Sequence, residues 1–324
     1  MMQTIVYDPS LRLTQPCVAT IGFFDGVHQG HRYLIEHLKR YAAAHGMASL
    51  IITFDAHPRQ VMQSDYQPQL LTTLQEKCQL LATTGADGCA ILHFTPQMAG
   101  LSAYDFMQTI LARHLHVKAL LIGHDHRFGH NRAEGFSHYV QYGQQLGIEV
   151  IQAQALTIGT DTISSSAIRT CLAQGDVSTA TRWLTTPYTL TGQVVDGFHI
   201  GRTLGYPTAN LHINEQENKM IPAQGVYAVW VSGLPQACGR AHMGMLNIGT
   251  CPTIGHATQT TIEVHILHLH ENLYGTQLTI HFVQRIRGEQ LFASRDALMH
   301  QLALDEEATI QLLNHHPLSS PLCP

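Results

Sequence analysis

Paired cysteines, a lysine-bearing phosphate loop and membrane-length apolar runs are all missing from this chain of 324 residues. The seven cysteines, Cys17, Cys78, Cys89, Cys171, Cys238, Cys251 and Cys323, are scattered and never stand in C-x-x-C spacing. That argues against cysteine-type structural zinc, and the odd number reads as reduced thiols in a cytoplasmic protein. No glycine is followed by lysine, so there is no Walker loop. H-E-x-x-H is also absent, which removes the usual helical zinc pair. No charged-then-apolar leader opens the sequence and no run suffices to span a bilayer, so no membrane partner is expected. With a formal net charge of −5, the chain lacks the basic balance of a general nucleic-acid binder.

What is present is ordinary in bulk, with 44% hydrophobic residues in a chain long enough for two cored domains. The 23 histidines are mostly dispersed and read as compositional drift. The nearest cluster, "HILHLH" at 265–270, puts His265 on the strand face opposite His268 and His270, which leaves at most a weak surface ion site.

Up to about residue 187, short apolar runs alternate with helical periods. "VATIGFF" (18–24), "ASLIITF" (48–54), "CAILHF" (89–94), "KALLIG" (118–123) and "GIEVIQA" (147–153) read as strands. Helices are predicted after His31, with a stop at Gly46, and at 72–85, 102–115 and around 134–146. The alternation implies a doubly wound parallel sheet, whose ligands sit beyond the carboxyl ends of the strands. Beyond residue 187 the period falls to two in "VYAVWVSG" (226–233), "TTIEVHILHL" (260–269) and "QLTIHFVQRI" (277–286). This predicts a small antiparallel sheet or barrel, closed by a helix at 294–313 with Ser294 as N-cap. The domain reading is 1–182, a linker at 183–187, 188–313, and a disordered tail at 314–324. On that reading, a fragment starting near Thr186 folds alone.

The chemistry starts with "GFFDGVHQGH". His28 and His31 follow the first strand and precede a helix, so metal, phosphate and plain-turn readings all compete. Metal lacks further ligands nearby. Phosphate needs close backbone approach, a helix N-terminus and side-chain donors; Gly22, Gly26, Gly30 and the two imidazoles supply these. "ISSSAIR" (163–169) adds three hydroxyls, Ser164, Ser165 and Ser166, at a second helix start, with Arg169 one turn in.

Together, "TIGFFDGVHQGH", "TFDAHPRQV", "GHDHRFG" and "ISSSAIR" resemble the H-x-G-H nucleotidyltransferase module of the prokaryotic bifunctional riboflavin kinase/FAD synthetases. "GQVVDGFHIGRTLGYPTANL", "LNIGTCPTI", "IEVHIL" and "LYGTQLTIHFVQRIRGEQLF" are similar to that family's riboflavin kinase module. The resemblance runs in family order from about residue 17 to 305. Departures are His126 after Asp125, where the family has phenylalanine, Ala56 for a proline, Ser166 for a threonine, and "WLTTPY" at the join.

The resemblance implies a nucleotidyltransferase domain followed by a β-barrel kinase domain. Riboflavin, ATP and FMN would be substrates, with Mg2+ as cofactor. His28, His31 and Arg169 would serve adenylyl transfer, and Glu263 would be the kinase base. Gly22, Phe23, Phe24, Asp25, Gly30, Asp125, Ser164, Ser165, Ser166, Gly201, Arg202 and Gly205 would bind ATP. Asp55 and Arg287 would face the flavin, and Thr208 and Asn210 the magnesium; His199 would be a bystander. Small molecules are then the only expected partners, for a monomer or weak homo-oligomer with no nucleic acid. Two other readings compete: a different H-x-G-H adenylyltransferase leaves "PTAN" idle, and a non-catalytic flavin-binding regulator leaves Glu263 and both histidines idle.

Overall fold

The computed structural model describes residues 2–62, 67–123, 126–130, 133–153, 163–197, 200–235, 240–252, 258–269 and 271–318. Side chains of residues 200, 202, 251, 252, 258 and 259 also lie outside the description. The chain divides into two compact units, Met1–Ser165 and Ser166–Pro324.

The first unit is built on strands β1 (Gln3–Val6), β2 (Cys17–Ile21), β3 (Ala48–Phe54), β4 (Gly88–Leu92), β5 (Val117–Ile122) and β6 (Glu149–Gln152). They form one parallel sheet in the order β1-β4-β3-β2-β5-β6. Both faces are covered, which is why β2 and β4 are buried at every position and β3 and β5 at all but one. Cys17, Ala19, Ile21, Leu50 and Ile52 join one core with the segment at 103–115, while Val18 and Ile51 join another with Ile35, Leu38 and Leu81. Strand order reverses between β2 and β5, so a crevice for ligands is expected at the carboxyl end of β2.

The five predicted strands are all present, and β1 is an addition. Its residues are largely exposed at the sheet edge, so no apolar run announced it. The helix predicted at 102–115 divides into Ala103–Phe106 and a wider π-type segment, Met107–His114.

The second unit holds a closed antiparallel barrel of β7 (Thr189–Val195), β8 (Ala209–His212), β9 (Gly225–Ser232), β10 (His242–Pro252), β11 (Thr258–Ile266) and β12 (Gln277–Arg287). Its order is β10-β11-β8-β7-β12-β9. Leu190, Val229, Leu246, Val264, Ile280 and Phe282 fill the interior. The closing helix is Arg295–His315, and the Ser294 hydroxyl accepts from the Ala297 N–H at 3.2 Å as the N-cap predicted. It runs through Asn314 and His315, two residues into the expected tail; residues 319–324 of that tail lie outside the description.

The helix Val177–Leu184 packs on β12, and the Ala223 N–H donates to the Leu172 carbonyl at 2.9 Å. The compact division therefore falls ahead of 183–187, because residues 166–184 pack with the barrel. Val177, Ala180 and Leu184 are buried, and each fully buried Val or Leu contributes about 1.5–3 kcal/mol. A fragment starting at Ser166 is accordingly expected to melt well above one starting at Thr186. Equal melting by circular dichroism would show that the two helices add nothing to the barrel.

Candidate active sites

The first site grows from the loop after β2. Gly22 continues the sheet, its N–H donating to the Ile52 carbonyl at 3.0 Å. Phe24 (φ +54°), Gly26 (φ +79°) and Val27 (φ +42°) then take left-handed backbone conformations. For a β-branched residue that is strained, and such strain persists only where surroundings enforce it. Asp25 does the enforcing. Its buried carboxylate accepts from the N–H groups of Leu71 and Thr72 at 3.0 Å and from the Thr72 hydroxyl at 3.1 Å. The residue matched to ATP binding thus holds the loop itself, and Phe24, only 3% exposed, packs its ring edge-on to His31 at 5.1 Å.

His28 and His31 stack with centroids 3.7 Å apart and planes within 19°. His28 precedes the helix Gln29–Ala44, which has no side-chain cap and no acidic residue in its first turn. An uncapped N-terminus of this kind favours anions. Gly30 makes room for the stack, since a Cβ there would stand 3.2 Å from the His28 ring. The Ser165 hydroxyl donates to the Asp25 carbonyl at 2.9 Å, tying the start of the serine-motif helix to this loop. Ser164 immediately precedes that helix, and Ser166 and Arg169 continue it. Asp125 lies outside the described residues.

His31 is half-buried, and its Nδ1 is inaccessible with no hydrogen-bond partner among the described residues. Burial first, then His28, His126 and Lys77, push its pKa well below the ordinary imidazole range. The unfolded chain therefore binds more protons as pH falls below about 6.5. Stability should rise from pH 5 to pH 7, and His31→Asn should flatten that rise in calorimetry.

Asp55, at the carboxyl end of β3, accepts from the Phe94 N–H at 3.1 Å and pairs with the exposed His93. Burial raises its pKa, but these hydrogen bonds outweigh it and the net shift is downward.

The second site lies on the outer face of the barrel. Glu263 on β11 stands in register with Asn210 on β8 and Asn247 on β10, so the three share a face while Ile262 and Val264 point inward. The Thr208 hydroxyl donates to Glu263 Oε2 at 3.1 Å, and Asn210 packs on the backbone of Gly197. A cavity of about 540 Å³ opens beside Thr208, lined by Val194, Pro207, Val264, Ile266 and Leu273 among others.

Gly201 accepts from the N–H groups of Leu204 and Tyr206 in a turn so close that a Cβ would meet the Tyr206 carbonyl at 2.2 Å. Gly205 (φ +82°) completes the turn. The Arg202 side chain and His199 lie outside the description.

Arg287, matched to the flavin, makes its described hydrogen bonds within its own unit. Nη2 donates to Asp305 at 2.7 Å, Nε donates to the same carboxylate at 3.0 Å, and Nη1 donates to the Gly288 carbonyl. Asp305 is 1% exposed, and removing one partner of a buried pair costs roughly 3–5 kcal/mol. Asp305→Ala should lower the denaturation midpoint read by Trp183 and Trp230, both of which lie in the second unit.

The sequence reading did not single out Asn247, Asp305 or the buried Lys77. Alternation across "LNIGT" would have put Asn247 on the face opposite Leu246 and Ile248, whereas its place beside Glu263 and the other two residues depend on pairings across the fold.

An uncapped helix N-terminus beside stacked imidazoles, at the switch point of a parallel sheet, is an arrangement suited to a nucleotide. A barrel carboxylate flanked by a hydroxyl and carboxamides forms a second polar constellation, of a composition suited to phosphoryl transfer. The family models for FAD synthetase and for riboflavin kinase match residues 11–167 and 184–313. The bifunctional riboflavin kinase/FMN adenylyltransferase of Escherichia coli K12 is 38% identical over 290 residues, covering 90% of both chains. That of Haemophilus influenzae is 34% identical over 94% of this chain and 96% of its own. A crystal structure from Streptococcus pneumoniae, titled a macrolide-efflux protein, superposes with TM-score 0.85 at 28% identity, covering 95% of this chain and 99% of its own. Among the described residues here, no helix is long and apolar enough to cross a membrane. The chain belongs to the bifunctional riboflavin kinase/FMN adenylyltransferase family.

Proposed function

We infer that the chain phosphorylates riboflavin with ATP to FMN and then transfers AMP from a second ATP to FMN, giving FAD and pyrophosphate. The observation that carries this is that both constellations occur in one chain matched along 90% of its relatives' length. The adenylyltransferase part is assigned to 1–182 and the kinase part to 188–313, with 166–184 supporting the barrel.

In the kinase reaction the nucleophile is the neutral 5′-hydroxyl of the ribityl chain, so a base is useful. Glu263 takes its proton as the oxygen attacks the γ-phosphorus and the bond to ADP breaks. The Thr208 hydroxyl donates to Oε2, so Oε1 is the oxygen assigned to take the proton. Thr208 and Asn210 present hard oxygens on one face, a donor set suited to Mg2+ held jointly with ATP phosphates. Such an ion, when bound, neutralises charge on the transferred phosphoryl group. Thr208→Val should raise KM for ATP on the order of ten-fold and leave FAD formation from supplied FMN intact.

In adenylyl transfer, a phosphate oxygen of FMN attacks the α-phosphorus of ATP and pyrophosphate leaves. The phosphate monoester is largely dianionic near neutrality (second pKa about 6), so no general base is needed. His28, His31, the open helix N-terminus and Ser164 are assigned to bind and align the phosphates, with Ser166 and Arg169 assigned from the serine motif. Asp25 and Ser165 hold the loop in place. Riboflavin, ATP and Mg2+ incubated with the protein should yield FMN and then FAD by chromatography; neither product would refute the assignment.

A further inference from the structure

Lys77 is a buried ammonium that the mechanism above does not use. It lies in the helix Leu74–Ala82, is 2% exposed, and has Nζ 2.7 Å from the Phe54 carbonyl, to which it donates. The same Nζ stands 4.0 Å from the centroid of the Phe23 ring. Phe54 is the last residue of β3, and Phe23 follows β2 by two positions. One cation therefore clamps the carboxyl ends of the two strands from which the "FFDG" and "FDAHP" loops leave.

The clamp is reinforced from neighbouring groups. The Thr53 hydroxyl donates to the Phe23 carbonyl at 3.1 Å, and Phe23 packs its ring edge-on to His57 at 4.8 Å. No carboxylate of the described residues forms an ion pair with Lys77. A buried charge held by one carbonyl and one ring is costly for stability, and such residues are enriched at functional sites.

We propose that Lys77 is a positioning residue for adenylyl transfer, a buried cation that fixes both nucleotide loops and supplies positive potential beneath the phosphates. The proposal rests on the adenylyltransferase reading of the first unit. Desolvation lowers its pKa to about 8, opposed by Asp25 on the loop after β2, Cys78 on its own helix, Cys89 on β4 and Asp55 after β3. Its charge also disfavours protonation of His31. Raising pH through 8 therefore discharges the clamp, whereas an arginine would stay charged.

The test uses the full-length protein and follows both reactions. Lys77→Met should lower kcat for FAD formation from FMN by about 30-fold or more, without lowering the melting temperature and without changing riboflavin phosphorylation. Retained FAD formation would overturn the proposal. So would a parallel loss of melting temperature and activity, which marks a merely structural lysine. Lys77→Arg supplies the second readout. Wild type should show an alkaline decline of kcat centred near pH 8 that the arginine variant moves upward; the same decline in both would equally overturn it. Riboflavin phosphorylation without any FAD formation in wild type would instead defeat the underlying adenylyltransferase reading.

Discussion

Glu263→Gln is expected to abolish riboflavin phosphorylation while FAD formation from supplied FMN proceeds at its wild-type rate. The substitution keeps the size of the side chain and the oxygen that can accept from Thr208, but removes the only carboxylate in the Glu263–Asn210–Asn247 row. Glutamine cannot take the ribityl proton, so the loss should lie at the upper end of the roughly hundred-fold to ten-thousand-fold typical of a missing general base, leaving no FMN detectable on the assay's time scale. Chromatographic rates with riboflavin and with FMN as separate substrates check this. An equal fall in both would show that Glu263 serves something other than the kinase step.

His31→Ala and His28→Ala are expected to do the reverse. On the proposed assignment each removes a donor to charge that develops in adenylyl transfer, and losses on the order of ten-fold to a thousand-fold are expected for such a group. The two rings stack; if they work as one unit, the double variant should fall by far less than the product of the two single effects. Riboflavin phosphorylation should stay at wild-type level. Stoichiometric zinc in the purified protein, lost on these substitutions, would restore the metal reading of the two imidazoles.

The fold was legible where burial is two-sided or alternation strict. β3 runs over Ala48–Phe54 as its apolar run predicts, and Gly46 takes the left-handed backbone expected of a helix stop. β1 was not legible, because an edge strand needs few apolar residues and finds its partner 85 positions away. β7, β8 and β10 were seen as motifs rather than strands; β10 carries Gly244 and Gly249 within its span, which blurs the strand signal.

At the sites, residue type was easier to read than direction. The motifs identified His28, His31, Thr208, Asn210 and Glu263, and the fold gathers each set on one face or loop. They could not show that Asp25 would turn inward to Leu71 and Thr72, or Arg287 toward Asp305. Lys77 carries no local signal at all, since its partners Phe54 and Phe23 are more than twenty residues away in sequence.

The central claim is that two complete sites work in sequence through free FMN, and mixing the two inactive variants tests it. With riboflavin, ATP and Mg2+, Glu263→Gln alone should stop at riboflavin, and the His28→Ala/His31→Ala double variant alone should accumulate FMN. Mixed in one tube, they should make FAD, because FMN released by one is adenylylated by the other. A mixture that still stops at riboflavin or FMN would contradict the account and require one composite site.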